Sequence, residues 1–326
     1  MHNRGNQGVN LMDLEEVMGL QELEKKKDKF KIMITYVGGI AGQSVIKMIK
    51  KSKYKDRIEI IGTDCDKYAA GFEWVDKPYL VSKVPECLSQ YDQIIKKEKP
   101  DLILPTGEED LSHLSKYENS YMCDEKLIEL CQDKYKFYKH YKTFYGFQMP
   151  QTELSWEDLE LPMIQKPITG RGSRGFELLE NAGHIAAVEN RPMRIYQEYL
   201  PGQEYTIDVL LTDKTKIIVP RKRVNVKGGN STCGKIELNR DIITFLQNFF
   251  EDSSFRGPLC VQMKEDKDGV PKLTEINPRF GGGSIFTTIA GINFIDVILA
   301  EKFGDKLELE EPREITITRY WDEMEL

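Results

Sequence analysis

From Phe30 onward, short apolar runs alternate with longer amphipathic stretches. FKIMITYV reads as a buried strand, GGIAGQ as a turn and SVIKMIKKS as a helix. RIEIIGTD gives a second strand, LSQYDQIIKKEK a second helix and PDLILPTG a third strand. Strands separated by helices of this length predict βαβ units around a parallel sheet. Beyond Thr106 the pattern turns helical and rich in lysine and tyrosine, through DEKLIELCQDKYKFYKHYKTFYG. From Leu161 it reads as strands and hairpins, broken by helices near IITFLQNFFED and FIDVILAEKF. The first 29 residues stand apart. Leu11, Leu14 and Met18 have the spacing of a short amphipathic helix behind a polar start, and a loosely held terminal extension is expected there.

At 326 residues the chain has room for two or three packed units. The 46 Lys+Arg against 53 Asp+Glu leave a formal net charge of -7, which argues against a dedicated nucleic-acid binder. No apolar run approaches the roughly 18 residues of a membrane span, and no signal-peptide pattern opens the chain. Cys65, Cys87, Cys123, Cys131, Cys233 and Cys260 are dispersed without a C-x-x-C pair or clustered histidines, so zinc and redox-motif readings fail. Scattered thiols without a secretory signal fit a reducing compartment, and a cytoplasmic protein is expected.

Candidate chemistry gathers in the second half. In PMIQKPITGRGSRGFELL, Lys166 ends a strand and residues 169–175 form a Gly/Ser/Arg loop leading to another strand. Its glycines let backbone N–H groups approach phosphate oxygens, while Lys166 with Arg171 or Arg174 supplies charge. It is not a Walker A loop, because no G-K-[ST] follows and no helix opens after it. In RIYQEYLPGQEYTIDVLL, the stretch through Glu198, Tyr199 and Leu200 has the makings of a purine slot. Glu204, just past a Pro201-Gly202 turn, is placed to accept from ribose hydroxyls. The segment GPLCVQMKEDKDGVPKLTEINPRFGGGS says most. Asp268-Gly269 predicts a two-residue hairpin turn, which sets Gln262 opposite Glu275. Strand alternation then brings Glu275, Asn277 and Arg279 to that same face. Oxygen ligands beside a phosphate loop suit Mg2+, which completes its shell with phosphate and water. Arg221 and Arg223, two apart in IIVPRKRVNVKGG, share a strand face and are candidates to hold a substrate carboxylate or phosphate.

At these residues the chain resembles the ATP-grasp superfamily, most closely the carbamoyl-phosphate-synthetase-like carboxylate–amine ligases. The likeness runs from about Phe30 to the C-terminus, and E-I-N-P-R at 275–279 is its most specific part. It implies an α/β and α+β architecture: an ATP-grasp fold preceded by a pre-ATP-grasp, Rossmann-like parallel βαβ domain. The implied division is 1–29 extension, 30–123 βαβ domain, 124–195 small-lobe region with the Gly-rich loop and 196–326 large lobe with the metal site. Gly38, Gly39 and Gly42 then need no nicotinamide, and their spacing is in any case not G-x-G-x-x-G. By the resemblance, Lys134 and Lys166 contact ATP phosphates beneath the loop carrying Gly170, Arg171, Gly172 and Ser173. Glu198, Tyr199 and Leu200 line adenine, with Glu204 on ribose. Gln262, Glu275 and Asn277 hold Mg2+, with Glu275 bridging two ions, and Mn2+ is an expected substitute. Arg279 and Lys166 are the implied catalytic residues, Arg279 stabilising phosphoryl transfer. Many members have a carboxylate where this chain has Gln262, so one anionic metal ligand is missing.

The activity implied is ATP-dependent phosphorylation of a carboxylate and attack by an amine, with ADP and phosphate released. The expected partners are small-molecule acid and amine substrates, without nucleic acid or membrane; a homodimer is a common solution in the family. Two other readings compete, a carbamoyl-phosphate-forming enzyme and a non-catalytic nucleotide-binding interaction protein. The single copy of each motif disfavours the first, and the intact lysine, glutamate, asparagine and arginine set the second.

Overall fold

The structure, a computed structural model, describes residues 29–170, 175–188, 191–251, 253–320 and 322–325. The amphipathic stretch around Leu11–Met18 lies outside the described residues, and so do Arg171, Gly172, Ser173 and Arg174 of the predicted phosphate loop.

The N-terminal unit is a parallel sheet of four strands. They are β1 (Phe30–Thr35), β2 (Ile58–Asp64), β3 (Lys77–Leu80) and β4 (Leu102–Leu104), in the order β3-β2-β1-β4. Ile32 lies opposite Ile60 on one side and Leu102 on the other. The run FKIMIT is apolar at successive positions because both faces are covered. Ile32 and Ile34 pack with Val45, Ile46 and Ile49 of helix α1 (Ile40–Lys50), whereas Met33 packs with Tyr91, Ile94 and Ile95 of α2 (Cys87–Glu98). Gly42 has a reason of its own. A Cβ there would stand 2.2 Å from the Tyr36 carbonyl oxygen, so α1 can lie this close to the turn after β1 only with glycine. Gly42→Ala is expected to cost about 1–3 kcal/mol, since the clash is with main chain that cannot swing away; urea denaturation measures it.

Short α3 (Leu111–Leu114), α4 (Glu125–Gln132) and α5 (Lys134–Tyr145) follow. A four-stranded antiparallel sheet comes next, from β5 (Thr152–Glu153), β6 (Met163–Pro167), β7 (Glu177–Leu179) and β8 (Arg194–Glu198), in the order β5-β8-β6-β7. Its helix α6 (Ala182–Ala186) covers one face, where Met163, Leu179, Ile185 and Tyr196 form a small core.

The remaining chain builds a six-stranded sheet in the order β13-β12-β9-β10-β11-β14. Its strands are β9 (Glu204–Leu211), β10 (Lys216–Lys227), β11 (Asn230–Ile236), β12 (Gly257–Glu265), β13 (Pro271–Asn277) and β14 (Thr316–Thr318), with helices α7 (Arg240–Phe249), α8 (Ser284–Ile289) and α9 (Phe294–Phe303). Alternation sorts the side chains. Ile207 and Val209 of β9 and Leu259, Val261 and Met263 of β12 face a core shared with Phe137 of α5 and Leu246 and Phe249 of α7. Helices α4 and α5, expected within the small-lobe region, thus pack against the large sheet. On its other face, Leu210, Val219 and Ile236 meet α8 and α9, which also contact α1 and join the N-terminal unit to the large sheet in one core. The rest of that face stays polar. No helix among the described residues is long and apolar enough to cross a membrane.

Candidate active site

Where the large sheet is not covered by α8 and α9, it faces the small sheet across a cleft of about 830 Å3. The N-terminal unit closes one end. Ile164, Lys166, Gln262, Glu275, Asn277, Arg279 and residues 39–42 all line this one cavity.

Lys166 stands one residue before the end of β6, on the strand face opposite Met163 and Gln165, so alternation sends it into the cleft. Burial pushes its ammonium down to about 8; Glu275 acts against that shift and Lys134 with it. Lys134 begins α5, whose N-cap Asp133 accepts from the Tyr135 and Lys136 N–H groups at 3.1 and 2.8 Å. The Lys134 backbone donates to Ile168 O at 3.1 Å and its Nζ to Gly170 O at 2.8 Å, tying the helix start to the loop after β6. Gly170, with φ of +122°, adopts a backbone that side chains other than glycine rarely tolerate.

Beside these lysines, buried Ile164 and Leu200 and half-exposed Phe176 make an apolar slot, bordered by Gln197, Glu198 and Tyr199. The Glu198 carboxylate is engaged by Lys272 Nζ at 2.7 and 2.8 Å and by the Gln151 N–H at 3.1 Å. Glu204 forms an ion pair with Arg223, whose guanidinium also donates to Gly229 O at 2.6 Å. Arg221 and Arg223 therefore share a strand face but not a role. Arg223 is bound to Glu204, while Arg221 lies almost fully buried against Asp208, its Nη2 3.8 Å from Oδ2.

Gln262 and Glu275 are cross-strand partners, as are Cys260 and Asn277. The turn between their strands is longer than the two residues expected: Gly269 N–H donates to Asp266 O at 3.1 Å and Asp266 N–H to Val270 O at 3.0 Å. Gly269, at φ +79°, closes it as a turn with a bulge. A second irregularity between Gln262 and Met263 restores the register, so two departures cancel at the residues that matter. Asn277 Nδ2 donates to Cys260 O at 3.4 Å, which leaves its Oδ1 toward the cleft. No three His, Cys, Asp or Glu side chains converge among the described residues. Gln262, Glu275 and Asn277 offer four side-chain oxygens and a single negative charge. Such a set fits Mg2+ that draws its other ligands from phosphate and water, and fits zinc poorly. Arg279 Nη1 donates to Phe280 O at 3.0 Å, and Nη2 pairs with Glu108 of the N-terminal unit.

Two contributors escaped the sequence reading. The stretch Thr106–Glu108 enters the cleft from the end of β4, and Arg319 enters from the strand after α9. A signal for Arg319 was present: Ile315, Ile317 and Arg319 alternate, and the two isoleucines pack on the core, so the arginine faces inward.

Two facing β-sheets that enclose a lysine-lined cleft, with a parallel βαβ unit across one end, define a two-lobed nucleotide-binding architecture. The family described as ATP-grasp in the biosynthetic pathway with Ter operon matches residues 190–323, and the PylC-like N-terminal domain matches residues 32–134. The chain thus has the ATP-grasp fold, with an ATP-grasp match over 190–323 and a PylC-like N-terminal match over 32–134. No curated protein matches it by sequence. Among solved structures it is similar to an N5-carboxyaminoimidazole ribonucleotide synthetase in complex with ADP, at TM-score 0.72 and 16% identity, covering 89% of this chain and 81% of that one. The L-amino acid ligase of Bacillus licheniformis gives TM-score 0.64 at 17% identity, covering 84% and 74%. The biotin carboxylase domain dimer of the Hydrogenobacter thermophilus 2-oxoglutarate carboxylase, a complex with MgADP and bicarbonate, gives 0.67 at 13%, covering 87% and 72%.

Proposed function

We propose that this chain is an ATP- and Mg2+-dependent carboxylate–amine ligase. The observation that carries the reading is the convergence of Lys134, Lys166, Gln262, Glu275, Asn277 and Arg279 on one cleft. The solved neighbours that hold ADP or MgADP support the same reading. The adenine ring takes the slot between Ile164 and Leu200, with the main chain of residues 198–200 at its edge, because the Glu198 carboxylate is already paired. Glu204 meets the ribose as a neutralised carboxylate, its charge balanced by Arg223. Lys134 and Lys166 hold the phosphates, joined by Gly170 and by Arg171, Gly172 and Ser173.

Gln262, Glu275 and Asn277 hold the metal, and Glu275, with two oxygens and the set's only charge, is the natural bridge between two ions. When bound, Mg2+, or Mn2+ in its place, screens the phosphate charge and orients the transferred group. The γ-phosphoryl group passes to a carboxylate oxygen of the acid while the bond to ADP breaks. Arg279 and Lys166 balance the charge that develops on the transferred oxygens. The amine then attacks the acyl carbon, loses its proton, and phosphate departs. A homodimer, as in the carboxylase neighbour, belongs to the proposal and is checked by sedimentation.

The test is a panel of carboxylic acids with hydroxylamine as a general nucleophile. An acid-dependent, Mg2+-dependent release of ADP with formation of the matching hydroxamate is the expected result. ATP binding with no ADP release across the panel would sink the ligase reading and leave a nucleotide-binding protein.

A further inference from the structure

The end of the cleft closed by the N-terminal unit carries more positive charge than the phosphoryl transfer above uses. Gly39, Ile40, Ala41 and Gly42, the start of the 11-residue helix α1, line it. The helix has no side-chain cap and no acidic residue in its first turn. Gly39 N–H is taken by Tyr36 O at 2.9 Å. Helix geometry leaves the N–H groups of Ile40, Ala41 and Gly42 without an intrahelical acceptor, with the positive end of the dipole behind them.

A second observation comes from the opposite wall. Arg221 is only 1% exposed, lines the same cleft and, among the described residues, has no hydrogen-bond partner for its Nε and Nη1. Its nearest carboxylate, Asp208, is 3.8 Å away and instead accepts from Thr287 Oγ1 at 2.7 Å. Gly282 and Gly283 join the two walls. A Cβ at Gly283 would lie 2.0 Å from Arg221 Nη2, and one at Gly282 would lie 2.9 Å from Ile40 Cγ2. Gly282 O accepts from Ser44 of α1 at 2.6 Å and from the guanidinium of Arg319. Arg319 has a buried Nε without a partner and, among the described residues, no carboxylate within ion-pair reach. Its guanidinium and that of Arg221 both stand over the Phe286 ring, 5.0 and 5.1 Å from its centre. Burial, and then Arg221, disfavour the charge on Arg319. An anion placed between them relieves both effects.

We propose that this end of the cleft is a second anion subsite, formed by the N–H groups of Ile40, Ala41 and Gly42 with Arg221 and Arg319, and that the acid substrate is a dianion. One of its carboxylates lies at Arg279 and the metal ligands; a carboxylate or phosphate at its other end docks here. The proposal rests on the ligase reading for the identity of the reacting group. The extra anion belongs to the acid because an amino acid acting as the amine brings an ammonium. That ammonium would face the guanidiniums of Arg221, Arg279 and Arg319, while Glu108 and Asp208 already lie beside Arg279 and Arg221.

The first measurement is binding without nucleotide, by calorimetry and thermal unfolding of the whole chain, with acetate, inorganic phosphate, succinate, glutarate and 3-phosphoglycerate. Succinate, glutarate or 3-phosphoglycerate is expected to bind at least about tenfold more tightly than acetate. Comparison of the dicarboxylates with 3-phosphoglycerate tells which second anion the subsite takes. Arg319→Gln should weaken the preferred dianion about tenfold or more. Ala41→Asp sets a fixed negative charge in the first turn of α1, where a helix welcomes it, and should keep the thermal midpoint while abolishing dianion binding. In the hydroxylamine assay Arg319→Gln should raise KM for the dianionic acid at least about tenfold, with kcat much less affected. Equal binding of acetate and dianions, or dianion binding untouched by both variants, overturns the subsite. ADP release with monocarboxylates only and indifferent to Arg319→Gln also overturns it and leaves the ligase standing. Dianion binding lost in both variants, with no acid ever releasing ADP, overturns the ligase reading and leaves the subsite.

Discussion

Glu275→Gln should lower Mg2+-dependent ADP release by roughly 10²–10³-fold while leaving the fold intact. The substitution keeps the shape of the side chain and removes the only negative charge among Gln262, Glu275 and Asn277. With a glutamine already at the first position, no neighbouring carboxylate can take over. On the proposed two-ion reading, the loss should be relieved only in part by raising the metal concentration, because one neutral oxygen does not replace a bridging carboxylate. Stability should change little, as Glu275 is half-buried at the cleft wall and lies in no ion pair among the described residues. Turnover measured against Mg2+ and Mn2+, with a thermal midpoint for each protein, decides the matter. Unchanged turnover and metal dependence would show that the ions are held elsewhere.

The register that carries this prediction was legible in the sequence, though for an incomplete reason. Asp268-Gly269 marked the hairpin, and the alternation of Glu275, Asn277 and Arg279 marked the face. The longer turn and the irregularity at Gln262 were invisible, and they matter only because they cancel. The parallel unit was legible because a strand covered on both faces leaves a continuous apolar run, as FKIMIT does. Its edge strand β3 was not, since KPYL is half-exposed and carries a proline. Side-chain partnerships across distant segments leave no local trace. Nothing in LPGQEYT and PRKRVNV announces that Glu204 and Arg223 pair, or that Glu108 reaches Arg279 from 171 residues away. The glycines at 38, 39 and 42 looked like an ordinary turn. Gly42 proves to be demanded by the approach of α1 to Tyr36, and that approach is what points the helix start at the cleft.

Nucleotide affinity should fall as the pH rises through about 8, because Lys166 titrates there in the free protein. A bound triphosphate favours the charged ammonium and lifts its pKa toward or above the ordinary value. Binding therefore takes up a proton, and affinity at pH 9 should be roughly tenfold below that at pH 7, since about one decade is lost per pH unit between the free and bound values. Calorimetry at pH 8 in buffers of different ionisation enthalpy reads the proton directly. Lys166→Arg keeps the charge at every accessible pH and should bind with a flat profile; Lys166→Met should bind weakly and also without the slope. The same shift acts on folding with a definite sign. A lysine held at about 8, below its unfolded value of 10.5, costs stability while it is charged, at pH below about 8, and the cost is relieved as the pH rises from 8 toward 10.5. Lys166→Met should therefore unfold at a higher temperature than the parent at pH 7, and the difference should shrink by pH 10. The coupling to Glu275 sharpens the test: that carboxylate supports the Lys166 charge, so in Glu275→Gln the affinity should begin to fall at a lower pH. A slope that stays at the same pH in Glu275→Gln, or survives in Lys166→Met, would assign the titration to another group.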